Sequence, residues 1–190
     1  AGRQPGIVGI DLVDDTREIV RKSPAVAIAA AAVVGFALIR IVRTGLDDFG
    51  DVPFLDALET ASRRLCVSRA LAAIDWPAGF EIAHRAAVRE DETSVTPCFA
   101  AVAESGGIVT LSGPDTPSTL NFVPDNHIVI VHAAQVVRDF EDVWTQWRAS
   151  GRPMPRTVNI ISGPSRTADI EMTIQLGAHG PRRLHILLLA

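Results

Sequence analysis

His127–His132 reads HIVIVH and Leu184–Leu189 reads LHILLL, and these two runs decide the fold class. Each has the length of a strand and is apolar on consecutive rather than alternate positions, the pattern of a strand covered on both faces. Such strands separated by helices imply a parallel sheet. Outward from them, Gly107–Leu111 (GIVTL), bounded by Gly106 and the SGPDTP turn, and Thr157–Ile161 (TVNII) read as further strands. A short strand is expected within Phe80–Val88. Val136–Ala149 sets Val136, Val137, Phe140, Val143, Trp144 and Trp147 at helical spacing, so a helix with one buried stripe is predicted there. Helices are also predicted over Phe54–Ile74, Pro97–Ala103 and Thr167–Leu176. The expected architecture is α/β, a mostly parallel sheet with helices on both faces.

At 190 residues the chain can bury one good core plus an appendage. A net charge of −4 with no long Lys/Arg run leaves no footprint for a phosphate backbone, which argues against nucleic acid as a partner. Cys66 and Cys98 are far apart and lack CxxC spacing, so thiolates alone can build neither a disulfide framework nor a self-contained iron–sulfur or zinc site. A reducing, cytoplasmic setting fits that usage. Ala25–Ile39 (AVAIAAAAVVGFALI) carries no charge, and with Ile41 and Val42 the apolar stretch over 25–42 is just long enough to cross a hydrocarbon core of ~30 Å. Arg21 and Lys22 flank it on one side, Arg40 and Arg43 on the other. A helix buried in a soluble core would show the same letters. The expected organisation is an N-terminal segment, 1–46, carrying this hydrophobic, transmembrane-capable helix; a linker, 47–53 (DDFGDVP); and an α/β domain, 54–190.

In parallel sheets ligands gather beyond the carboxyl ends of the strands, so the turns after strands are where function is sought. The best candidate is Ser162–Asp169, where a strand ends in a Gly163-Pro164 turn that is expected to open directly into a helix. The first amides of such a helix lack internal partners. With the Ser162, Ser165 and Thr167 hydroxyls and the Arg166 guanidinium, they suit a carboxylate or phosphate. Against that, Ser165, Thr167 or Asp169 can simply cap the helix, and Asp169 and Glu171 would repel an anion. His179 lies in the GAHGP loop, facing the same mouth. Glu104 is the one carboxylate considered for chemistry, as nucleophile or base, if burial strengthens it. His127 and His132 bracket one strand and read as structural, and no HxxxH or HExxH spacing suggests a metal. The stiff loop holding Pro114, Pro117 and Asn121 is expected to wall the site.

ISGPSRTADIEMTIQLGAHGPRRLHILLL (Ile161–Leu189) and TPCFAAVAESGGIVTLSGPDTPSTLNFVPDNHIVIVHAAQVV (Thr96–Val137) carry a specific resemblance. They look like the LUD-domain family of lactate utilisation protein C (LutC, also called YkgG), over about residues 75–190. The resemblance implies a NagB/RpiA/CoA-transferase-like fold. It also implies a part in oxidising L-lactate to pyruvate alongside LutA/LutB-like subunits that hold the iron–sulfur clusters, with none bound by this chain and a small carboxylate such as lactate as ligand. The matching region starts late, so the domain is expected to be shortened at its N-terminal side, and the family motif AETGT reads AESGG at Ala103–Gly107. Glu104-Ser105-Gly106 resembles the nucleophile of CoA transferases. That keeps open a stand-alone enzyme acting on a small carboxylate or CoA ester. The N-terminal segment is similar in composition to ElaB/YqjD-like membrane anchors, which leaves a tether to the inner face of the cytoplasmic membrane, or an inactive tethered scaffold, as further alternatives.

Overall fold

The computed structural model describes residues 38–42, 63–76, 78–170, 173–176 and 179–189. In chain order the elements are β1 (Leu38–Val42), β2 (Arg64–Val67), β3 (Glu81–Ala83), β4 (Thr93–Pro97), β5 (Ala100–Val102) and β6 (Gly107–Leu111). There follow α1 (Thr119–Phe122), β7 (Asn126–His132), β8 (Val136–Val137), α2 (Phe140–Ala149), β9 (Val158–Ile161), β10 (Arg166–Ile170), β11 (Thr173–Leu176) and β12 (Arg183–Leu189). Six strands form the main sheet in the order β1-β12-β7-β4-β2-β3, and every neighbouring pair in it is parallel.

The consecutive apolar letters have a direct physical meaning, because side chains alternate across a strand. Ile128 and Ile130 of β7 and Leu187 and Leu189 of β12 join Leu65, Val67 and Val95 on one face. Val129, Val131, Ile186 and Leu188 point the other way, onto Ala101, Ile108 and Ile161. Those last three belong to a second sheet, ordered β8-β5-β6-β9, in which β6 runs antiparallel to both β5 and β9. Its outer face buries Ala100, Val102 and Val109 against Val143 of α2, with Phe140 packed alongside. The layers therefore run α2, four-stranded sheet, six-stranded sheet.

The α/β class and the mostly parallel sheet are as the sequence predicts, but one face of the main sheet is covered by another sheet instead of helices. Pro97–Ala103 is not a helix: it is the end of β4 followed by β5, whose Ala100, Ala101 and Val102 are all buried between layers. Alanine favours helix intrinsically, yet here it is the small residue that two packed layers accept. Within the expected helix Phe54–Ile74, Arg64–Val67 is strand and Arg69–Leu71 one 3-10 turn, with the earlier part outside the described residues. Thr167–Leu176 is a hairpin in which β10 pairs antiparallel with β11. The last five positions of the hydrophobic run are β1, paired in parallel with β12, while residues 25–37 and the linker 47–53 lie outside the described residues. Among the described residues no helix is long and apolar enough to cross a membrane.

Candidate functional site

The turn singled out from the sequence lies between β9 and β10. Ser162 is exposed, Gly163 has φ of 114°, and Ser165 donates its backbone N–H to the Pro181 carbonyl at 2.8 Å. Pro181 stands just ahead of β12, so the turn, which follows the carboxyl end of β9, sits by the amino end of β12 and not beyond the carboxyl ends of the parallel sheet. The Ser165 hydroxyl accepts the backbone N–H of His179 at 3.2 Å, which brings these two residues together. The helix expected to supply free amides is replaced by β10, which Arg166 opens and Thr167 continues. An α-helical N-terminus therefore plays no part here. Gly163 holds a left-handed φ that costs a residue with a Cβ about 1–3 kcal/mol, and Gly163→Ala should destabilise the fold by that amount in urea titrations.

Glu104 lies in the hairpin tip joining β5 to β6, beside the Ser162 turn. Its backbone N–H donates to the Arg138 carbonyl at 3.0 Å, and its side chain is exposed, so the burial that its proposed chemistry requires is missing. The residues it introduces are better placed. A Cβ built on the buried Gly107 would stand 3.1 Å from the Ser105 hydroxyl and 3.4 Å from the Ser162 hydroxyl. Two hydroxyls from different loops thus converge on one bare stretch of backbone, where a Cβ would be a tight fit. No local sequence signal marks Ser105, because the β9 turn reaches it only through the β6–β9 pairing.

Two clefts lie elsewhere, around the loop Ser112–Pro117 that the sequence marks as a wall. One of about 700 Å³ is lined by Leu111, Ser112, Gly113, Thr116, Trp147, Arg152 and Arg156 among others. A second, about 400 Å³, shares Leu111, Thr116 and Arg152 and reaches Pro97 and Cys98 at the carboxyl end of β4. The loop is held firmly: the Ser68 hydroxyl and the Arg69 N–H both donate to the Asp115 carbonyl, at 2.6 and 3.0 Å. The Thr116 hydroxyl donates to the Leu111 carbonyl at 2.8 Å.

The remaining reactive groups are buried. Burial pushes the Cys98 thiol up to about 12. Cys66 is raised to about 11, by burial first and then by the Asp91 carboxylate. The two thiols pack in different core clusters, and among the described residues no group of His, Cys, Asp and Glu could hold a metal ion. His127 is fully buried, with Nε2 2.8 Å from the Thr96 hydroxyl, while His132 at the other end of β7 is exposed.

Residues 83–189, more than half of the chain, match the model of the LUD domain. Lactate utilization protein C of Halalkalibacterium halodurans is 39% identical over 85 residues, covering 43% of this chain and 37% of that protein. The protein of the same name from Exiguobacterium sp. is 36% identical over 111 residues, covering 57% and 48%, and that of Bacillus subtilis 35% over 92 residues, covering 47% and 38%. The chain thus spans less than half the length of these curated relatives. A crystal structure of a DUF162 family protein from Deinococcus radiodurans aligns with a TM-score of 0.64 over 93% of this chain and 99% of that one, at 22% identity. That likeness concerns the fold alone.

Proposed function

Because the chain belongs to the LUD domain family, we propose that it is a component of L-lactate utilisation that binds a small carboxylate while iron–sulfur partner subunits of the LutA/LutB type carry the electrons. The observation that carries this reading is the 35% to 39% identity to proteins named lactate utilization protein C. Converting lactate to pyruvate removes two electrons and two protons from the secondary alcohol. Two protonated thiols in separate clusters are a poor set for holding an iron–sulfur centre, because the thiolate is the ligand, so the electrons are assigned to partners. The Ser105 and Ser162 hydroxyls beside Gly107 support a carboxylate site at the turn that also holds Gly163, Ser165, Arg166, Thr167 and His179. Hydroxyl donors to a carboxylate give short, charge-assisted hydrogen bonds.

The test is complementation in a host deleted for its own lactate utilisation protein C. The chain should restore growth on L-lactate and co-purify with a cysteine-rich subunit. Ser162→Ala and Arg166→Ala should each slow growth on lactate by about tenfold in rate-limiting conditions, with growth on pyruvate unchanged. A folded chain that neither restores growth nor retains a partner would overturn the reading.

A further inference from the structure

The cleft beside the Ser112–Pro117 loop is too large for the acid just proposed. A volume of about 700 Å³ falls in the range of sites for cofactor-sized ligands, ~300–1,000 Å³, and a three-carbon acid would leave most of it to water. Its lining combines two kinds of surface. Trp147, Leu111, Pro153 and Pro155 offer flat apolar area, and Arg152 and Arg156 bring two guanidiniums. Neither arginine forms an ion pair with a described acid, whereas Arg85, Arg138 and Arg182 all do. In a chain of net charge −4, two guanidiniums at one cleft, with no ion pair to an acid among the described residues, favour an anion there.

Trp147 is held in place, since its ring meets Phe99 edge-on with centroids 5.7 Å apart and planes at 70°. The opposite wall is fixed by the loop's own hydrogen bonds and by its tie to β9. Ser112 donates its N–H to the Thr157 carbonyl at 3.0 Å and accepts the Thr157 N–H on its hydroxyl at 2.8 Å. Little ordering is then required on binding, which favours affinity. Asp115, the one carboxylate at the cleft among the described residues, is exposed and also lines the smaller neighbouring cleft with Arg69 and Arg85. There it can accept hydrogen bonds from a ligand's hydroxyls. The position agrees with the general location of ligands in parallel sheets, because the adjoining cleft opens at the carboxyl end of β4.

We propose that this cleft binds a nucleotide-class ligand, with a heteroaromatic ring against Trp147, phosphate on Arg152 and Arg156, and sugar hydroxyls towards Asp115. Guanidinium matches phosphate geometrically, and an indole face is a stacking platform for any base. The site is separate from the Ser105/Ser162 pair, so its test does not depend on lactate. Calorimetric titration of the full chain with adenosine 5′-diphosphate, flavin mononucleotide, adenosine and ribose 5-phosphate separates ring from phosphate. At least one of the two nucleotides should bind tenfold or more tightly than adenosine or ribose 5-phosphate. Arg152→Ala and Arg156→Ala should each weaken that binding by about tenfold without changing the melting temperature, and Trp147→Phe should retain most of it. Binding of neither nucleotide, equal binding of all four probes, or unchanged affinity in both arginine variants would overturn the proposal.

Discussion

Acidification from pH 6.5 towards pH 3 is expected to cost the fold on the order of 5 kcal/mol through His127 alone. Burial lowers its imidazole from an ordinary value near 6.5 to about 3, because a charged ring between two sheets has no water to solvate it. Nε2 meets the Thr96 hydroxyl, and Nδ1 has no partner among the described residues. Above pH 6.5 both folded and unfolded chains hold the ring neutral, and its full contribution is present. As the pH falls below that, the unfolded chain takes up a proton that the folded chain refuses until about pH 3, so stability declines throughout the interval. The window from pH 7 to 4.5 lies above the ordinary pKa values of the carboxylates. Asp91, held below its ordinary 3.8 chiefly by the hydrogen bond from Arg85, adds its own loss only further down. Urea unfolding at a series of pH values should show uptake of close to one proton, and His127→Phe should flatten that slope. An equal slope in the variant would rule out His127 as its origin.

Truncating either of two adjacent residues in β12 should be nearly as damaging. Ile186 and Leu187 are each 1% exposed, yet they belong to different core clusters on opposite faces of the sheet. Ile186→Ala and Leu187→Ala should each cost about 2–5 kcal/mol, the transfer of the lost methyl groups plus the cavity left behind. Their clusters share no side chain, so any departure of the double variant from the sum of the two measures coupling through the shared strand backbone. A surface helix or half-exposed strand would protect only one of the two neighbours. Chemical denaturation in which either variant lost less than about 1 kcal/mol would contradict burial on both faces.

The candidate site was legible unevenly. Gly163 and Pro164 marked a turn, and the structure has one; His179 was placed against it, and its N–H reaches Ser165. The helix expected after that turn is contradicted by the segment's own letters: Ala168, Ile170, Met172, Ile174 and Leu176 alternate strictly with Thr167, Asp169, Glu171, Thr173 and Gln175, the period of a strand. Its hairpin pairs Arg166 with Leu176 and Ile170 with Thr173, a local pairing that the same alternation supports. The Ser112–Pro117 loop could be recognised as stiff from its prolines. That Trp147, Arg152 and Arg156 would face it across a cleft depends on the fold bringing the end of α2 beside the end of β6.

What the sequence determined by itself was the two-faced burial of β7 and β12 and hence the parallel sheet, since uninterrupted apolar runs of strand length leave no side for water. It also marked the sharp turns, because glycine and proline act on the dihedral angles of their own residues. The tertiary structure alone decided that a second sheet, not a helical layer, would cover Val129, Val131, Ile186 and Leu188. It also turned Ala100–Val102 into a strand and placed His127 where burial disfavours its charged form. Hydrophobic burial is non-directional: it requires that apolar faces be covered, while the identity of the cover is set by segments far apart in the chain whose pairing energies no local pattern records.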